Sequence, residues 1–341
     1  MFHKIALTGL SILASLATAL PATRTITVDD DRAQCQAAEF TSIQHALAAA
    51  AVGDTIRICS GVYAAPTGGL VIDKDALSLI AAGASGTVRI VPGATTPGAA
   101  TTPGLTIAAD GVRLQGLDIA RFSGAGIAAG SGRPVAGLVL EQNRIHHNQI
   151  GILLQRSGAL VARNTVDHNA LQGIVAGPGS AVQIRDNLVT SNSTAPGFTA
   201  GIEIVEAAGG VIVSGNKSFG NAVGLRLNRS SGVMVQGNHL NGNRLGMDVF
   251  ASHRNQVTDN EFNSNTALAG VWLRQASSGN SVQFNQATGN RYDGIFVFAD
   301  AAQGNSFDGN RLEGNTDHGL HYAKTARARS GLVVARTQPM R

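Results

Sequence analysis

Residues 231–250 read SGVMVQGNHLNGNRLGMDVF. Two asparagines, Asn238 and Asn243, stand five residues apart, followed by Gly246 and the alternation Met247, Asp248, Val249. The pair recurs as Asn143/Asn148, Asn164/Asn169, Asn187/Asn192, Asn216/Asn221, Asn260/Asn265, Asn285/Asn290 and Asn310/Asn315. Eight consecutive copies keep the interval of five, while the copies lie 21 to 29 residues apart. One more copy upstream puts Leu117 and Phe122 in the two asparagine places. Each pair is followed by a glycine: Gly151, Gly173, Gly201, Gly224, Gly246, Gly270, Gly294 and Gly319. A repeat on this scale decides the fold.

The residues around each pair alternate with period two. Val233 and Val235, or Val182 and Ile184, precede the first asparagine; Ile145, Val166, Val189, Leu240, Phe262 or Leu312 follows it by two. Ile202/Ile204, Leu225/Leu227, Met247/Val249, Val271/Leu273 and Ile295/Val297 follow the glycine. Period two means strand. Three short strands per repeat, stacked in parallel, make a solenoid that rises about 4.8 Å per coil. Asparagine suits the turns because it tolerates left-handed backbone angles and bonds its neighbours. Stacked amides then form a ladder within the wall, and Asn255, Asn280 and Asn305 predict a second ladder at another corner.

Composition agrees. The 341 residues include 42 glycines, only 14% charged and 4% aromatic residues, which favours many small turns over long amphipathic helices. The net charge of +4 is weak evidence for anionic partners, because part of the excess lies in the tail 326–341. No nucleic-acid-binding motif is present. His3, Lys4, the apolar run from Ile5 and Ala17-Thr18-Ala19 read as an export signal over 1–22, with no second candidate span. The mature protein is expected to be secreted or periplasmic. An uncleaved anchor is the alternative. In an exported chain the only two cysteines, Cys35 and Cys59, are expected to form a disulfide, with two buried thiols as the alternative.

The stretch Phe40–Tyr63, FTSIQHALAAAAVGDTIRICSGVY, and the asparagine repeat together resemble the right-handed parallel β-helix superfamily, the pectin-lyase-like proteins with NosD and CASH-type repeats. The resemblance spans about residues 38 to 325. It implies a helix plugging the N-terminal end, with Ile43, Leu47 and Ala50 facing the first coil, because an open solenoid end exposes strand and core. The expected organisation is a cap over 23–66, an all-β solenoid of three sheets and about eleven coils over 67–325, and a basic tail. The family places substrate across the first sheet, which here is the strand after each glycine.

Alternation turns the second residue after each glycine outward. In coil order these are Leu153, Val175, Glu203, Arg226, Asp248, Trp272, Phe296 and His321. Two residues further on stand Asn228, Phe250, Arg274 and Phe298. Glu203 and Asp248 are expected two rungs apart, about 9.6 Å, with Arg226 between them. Asp248, Glu203 and His321 are candidate acids or bases, since a carboxylate beside aromatics can have a raised pKa. Arg226 and Arg274 suit a substrate carboxylate, Trp272, Phe250 and Phe296 offer stacking faces, and Asn228 adds a polar contact. The competing reading is a plain cross-strand charge ladder, Glu203–Arg226–Asp248.

A second group, His146, His147, Asp167 and His168, stacks Asp167 on His146 and His168 on His147. His147, His168 and Asp167 are weak metal candidates; surface hydrogen bonding is the plainer reading. Asp317 and His318 lie near His321 at the aromatic end. Asp29, Asp30 and Asp31 offer carboxylates for calcium without EF-hand spacing, and no other cofactor is implied. The polygalacturonase residue set, the D-P-H-D stretch of mannuronan epimerases and evident pectate-lyase calcium aspartates are absent. Four methionines and no paired Met/Cys arrangement argue against NosD-like copper handling. The sequence thus points to a polysaccharide lyase, epimerase or hydrolase working from the first sheet, or to a glycan-binding solenoid without turnover.

Overall fold

The computed structural model describes residues 23–84, 86–93, 101–192, 197, 199–301 and 303–323. The expected export signal over 1–22, the tail 326–341 and positions 193–196 of the loop after Asn192 lie outside them. Three parallel sheets run the length of the solenoid, with eleven, eleven and seven strands. Each coil visits them in order. The strand after the glycine joins the first sheet, as in Leu245–Phe250; the strand before the first asparagine joins the second, as in Met234–Gln236; the short strand between asparagines joins the third, as in Lys217–Phe219. Beyond Phe219 the third sheet narrows to single bridges, His239 to Glu261 to Gln286 to Arg311. The inward residues Leu225, Leu227, Met247, Val249, Val271, Leu273, Ile295 and Val297 are fully buried.

The asparagines hold coil to coil. Asn238 Oδ1 accepts from both the backbone N–H and the Nδ2 of Asn216, each at 2.9 Å. Its own Nδ2 donates to the Val213 carbonyl and to Asn260 Oδ1, each at 2.9 Å. The second asparagine column repeats this, as does the corner ladder Asn255–Asn280–Asn305. Leu117 and Phe122 end the two main ladders: their N–H groups donate to Asn143 and Asn148. A serine ladder, Ser230–Ser252–Ser277, holds the corner between the first and second sheets.

One expectation needs correction. Asparagine does not take the left-handed conformation. The residue before it does: Gln142 (φ 55°), Arg163 (φ 55°), Asp186 (φ 57°), Asp259 (φ 57°) and Phe284 (φ 56°) before first asparagines, and His147 and His168 before second ones. The tasks divide because a side chain that must bond along the stack needs its backbone aligned with the neighbouring coils, so the reversal falls one residue earlier. Glycine fills the turn place at Gly237 (φ 64°). The column glycines serve a different end. A Cβ on Gly246 would lie 2.4 Å from the Gly270 carbonyl oxygen and 2.8 Å from Asn265 Nδ2.

At the N-terminus, α1 (Ile43–Ala49) buries Ile43, Ala46 and Leu47 against the first coil, and Ala50 is buried beside them. The helix is inserted between Thr25–Val28 and Thr55–Ile58, which pair in the second sheet, so the sheets run through the expected boundary near residue 66. Cys35 and Cys59 form a disulfide with Cα atoms 6.3 Å apart. Asp29 and Asp30 serve this region structurally: Asp29 accepts from the Gln34 and Cys35 N–H groups, and Asp30 from that of Val62.

Two measurements test these assignments. Asn238→Ala removes the acceptor of the Asn216 backbone N–H and side-chain amide, and one donor to the Val213 carbonyl, all buried. The expected loss is about 3 kcal/mol in a denaturant melt, since an orphaned buried polar group costs roughly 1–3 kcal/mol; a loss under about 0.5 kcal/mol would contradict the ladder's role. Asp54 accepts from the Arg24 and Ala51 N–H groups (3.0 and 2.8 Å), and these bonds hold its carboxyl below the ordinary carboxylate range. Its stabilisation is therefore complete above the unfolded-state value and lost as pH falls through the lower folded value. Asp54→Asn should flatten the acid limb of the stability–pH curve without steepening the neutral part.

Candidate functional site

The first sheet delivers the expected column in register. Leu153 pairs with Val175, Val175 with Glu203, Glu203 with Arg226, Arg226 with Asp248, Asp248 with Trp272, Trp272 with Phe296, and Phe296 with His321. Asn228, Phe250 and Arg274 form the neighbouring column in the same way. All of these side chains face away from the solenoid core, because their neighbours Leu225, Leu227, Met247 and Val249 fill it.

Facing outward does not expose the carboxylates. Asp248 has no solvent-accessible surface. Arg274 donates to both its oxygens, Nε to Oδ1 and Nη2 to Oδ2, each at 2.8 Å, and Arg226 Nε lies 3.2 Å from Oδ2. Glu203, 5% exposed, accepts from Gln172 at 2.8 Å and Asn228 at 3.3 Å and lies 3.8 Å from Arg226. Phe250 sits under both guanidiniums, 5.1 Å from Arg226 Cζ and 4.6 Å from Arg274 Cζ. Two carboxylates and two guanidiniums thus neutralise one another along the stack. The charge ladder is real, and Asp248 is its occluded centre.

Above it the column turns aromatic. Phe296 and Phe298 meet edge to face at 4.7 Å, and Trp272 meets Phe298 at 5.4 Å. Trp272 and Phe296 are half-buried because they pack on an apolar patch of Ala200, Val223, Leu245 and Ala269. Phe296 then meets the ring of His321 edge to face at 4.8 Å.

The last two coils hold what the sequence reading missed. Asp293 Oδ1 lies 3.1 Å from His318 Nδ1 and 3.3 Å from His321 Nδ1. Burial, opposed by the two imidazoles, raises the Asp293 carboxyl above its ordinary range. Asp317, the carboxylate the sequence offers beside His318, is exposed, and the carboxylate that meets both imidazoles is Asp293. A signal for Asp293 did exist. The residue before the column glycine is Ala200, Val223, Leu245 and Ala269 in four successive coils, then changes to Asp293 and His318.

The other histidine group lies on the third sheet and is already hydrogen-bonded. His146 pairs with Asp167 in register, and the His147 and His168 rings stack 5.3 Å apart at 6°. These two rings stack because both residues occupy the left-handed turn place on consecutive coils. Arg144 donates to both Asp167 oxygens at 3.2 Å, His168 Nδ1 bonds Asp167 at 2.8 Å, and His146 joins Asp118 at 2.9 Å and His147 at 2.7 Å. Burial and the neighbouring imidazoles lower the His147 pKa. The side-chain hydrogen bonds of Asp167, His147 and His168 fall into two sets, Asp167 with His168 and Arg144, and His147 with His146 and through it Asp118, joined by the His147–His168 ring stack. A separate cavity of ≈ 490 Å³ opens beside Gln115, Gln142, Arg144 and Arg163 at the edge of the second and third sheets. Its lining holds no carboxylate or imidazole.

Comparison with known proteins agrees with the geometry. Residues 197–329 match the family model described as periplasmic copper-binding protein (NosD), and residues 101–218 match the right-handed β-helix region model. No curated protein matches the chain. Among solved structures, the A-module of the mannuronan C-5 epimerase AlgE4 from Azotobacter vinelandii superposes with a TM-score of 0.62 at 16% identity, covering 89% of this chain and 100% of that one. The DFA-IIIase of Arthrobacter chlorophenolicus A6, in complex with DFA-III, gives 0.55 at 16% identity over 82% and 77%. XylC in complex with xylose gives 0.54 at 10% identity over 84% and 86%. With its parallel three-sheet coils, asparagine ladders and N-terminal helix, the chain has the right-handed parallel β-helix fold that these structures share.

Proposed function

We propose that this protein is exported and acts on a polysaccharide laid along the outer face of the first sheet. The observation that carries the reading is the unbroken column from Glu203 to His321, in which charge gives way to aromatic rings and then to imidazole. The half-buried rings of Trp272, Phe296 and Phe298 suit the apolar faces of sugar rings. Arg226 and Arg274 supply guanidinium groups beside that platform for a uronate carboxylate, with Asn228 as a further polar contact. The sugar-related names of the structural neighbours support the class, by analogy of fold alone. The disulfide suits an oxidising compartment, and the matched NosD family is described as periplasmic. No helix among the described residues is long and apolar enough to cross a membrane.

Within this reading the candidate acids and bases divide. Asp248 and Glu203 hold the arginines in place and act as positioning residues, because their carboxylates are covered and bonded. His321 stands at the aromatic end where a bound sugar would finish. Lyase, epimerase and hydrolase chemistry all remain within the class. A second reading, glycan binding without turnover, is favoured by the occlusion of Asp248. Copper(I) handling is the poorer fit: copper(I) takes thiolate or thioether ligands, whereas both cysteines are in the disulfide, Met247 is buried in the core and the exposed Met234 stands on a different sheet.

The decisive experiment is a panel of neutral and uronate-containing polysaccharides assayed for binding and for new reducing ends, unsaturated ends or epimerised residues. Binding with product supports an enzyme, binding without product supports the second reading, and no binding to any member ends the proposal. Trp272→Ala should weaken binding roughly tenfold, the order expected for losing an aromatic stacking contact. Asp248→Asn should first lower stability, by about 3 kcal/mol, because it leaves two desolvated guanidiniums without their shared carboxylate. An Asp248→Asn chain that melts like the wild type yet abolishes turnover would instead assign Asp248 to the chemistry.

A further inference from the structure

We infer that Asp293, His318 and His321 form a binding site for a divalent transition-metal ion at the C-terminal end of the first sheet. Three donors of the right kind converge there: Asp293, His318 and His321 each offer a ligand atom, and the three atoms lie within 4.8 Å of one another. The carboxylate-to-imidazole separations of 3.1 and 3.3 Å match the edges of a tetrahedron whose corners stand about 2.0 Å from a central ion. Two imidazoles and one carboxylate are a donor set suited to zinc, copper(II) or nickel.

A hydrogen-bonded trio without metal accounts for less of the geometry. One imidazole, His318, bonds Asp293. The other is poorly aligned: His321 Nδ1 is buried 3.3 Å from the same oxygen without the geometry of a good hydrogen bond. A buried ring nitrogen without a well-aligned hydrogen bond is unfavourable, and a metal ion at the convergence point would satisfy it. The setting also suits a bound ion. Asp293 and His321 are 5% and 7% exposed, which fixes two ligands, while the half-buried His318 leaves one side open to solvent. Phe296 packs edge to face on His321 and holds its ring orientation. The repeat explains the spacing. Asp293 and His318 occupy the same place in consecutive coils, each before the column glycine, and Gly294 N–H bonds the His318 carbonyl. His321 follows three residues later in the outward column.

The inference stands on this trio and not on the glycan reading, so metal binding is measured with no polysaccharide present. The metal-stripped full chain is titrated with zinc sulfate and with copper(II) chloride by calorimetry, and the copper form is examined by electron paramagnetic resonance. The expected result is one equivalent of bound metal and, for copper, hyperfine structure from two imidazole nitrogens. His318→Ala, at the half-exposed position, should weaken binding at least about 100-fold, more than an outer-shell change would. Asp293→Asn should do the same, with circular dichroism confirming the fold of each variant. The double variant His147→Ala/His168→Ala should bind metal as the wild type does. No binding, binding unchanged by His318→Ala, or binding lost only in the His147/His168 double variant would overturn the assignment.

Discussion

The structure depends on the side-chain amide that reaches from one coil to the next. Along most of each ladder an asparagine accepts from the backbone and amide of one neighbour and donates to the next coil, so the buried amides of the turns find partners. This bonding needs all coils in one register. A coil displaced along its path would lose both asparagine columns at once. The glycine column tightens the same constraint, since the backbone of the next coil occupies the space where a Cβ would stand.

A rigid register has a consequence for chemistry. Any residue placed two positions after a glycine is forced into contact with its counterparts above and below. Opposite charges therefore become a ladder, and aromatic residues become a packed row. The ladder of Glu203, Arg226, Asp248 and Arg274 is neutral in total and covered by Phe250, which makes it a support more than a reactive surface. Titratable groups converge instead at the last described coils. There Asp293 and His321 stand buried with only the half-exposed His318 between them and solvent.

Much of this was legible in the residues. The interval between asparagines implied the ladders, a further copy at Leu117 and Phe122, and the corner stack from Asn255 to Asn305. The outward column was readable because period two allows only one assignment of faces. Burial was not readable. Nothing local in Met247-Asp248-Val249 says that two arginines and a phenylalanine close over the carboxylate, since Arg226 and Arg274 arrive from the coils on either side. Asp293 escaped notice because it sits before the glycine, a place filled by small or apolar residues in the preceding coils. Its partners lie one coil away. The left-handed turn residue was assigned one position late, because a side chain's hydrogen bonds and its neighbour's backbone angle are separate constraints that sequence spacing alone does not separate.

The sequence by itself determined the coil, its sheets, its caps and which residues share a column, because each follows from spacing and from alternation along a strand. The tertiary structure alone decided which members of a column remain accessible and which donors converge. Both depend on distances between atoms of different coils, about 25 residues apart in the chain, and on how side chains of different length lean across one rung. That is why Asp248, prominent in the sequence, is sealed, and why Asp293, inconspicuous there, meets two imidazoles.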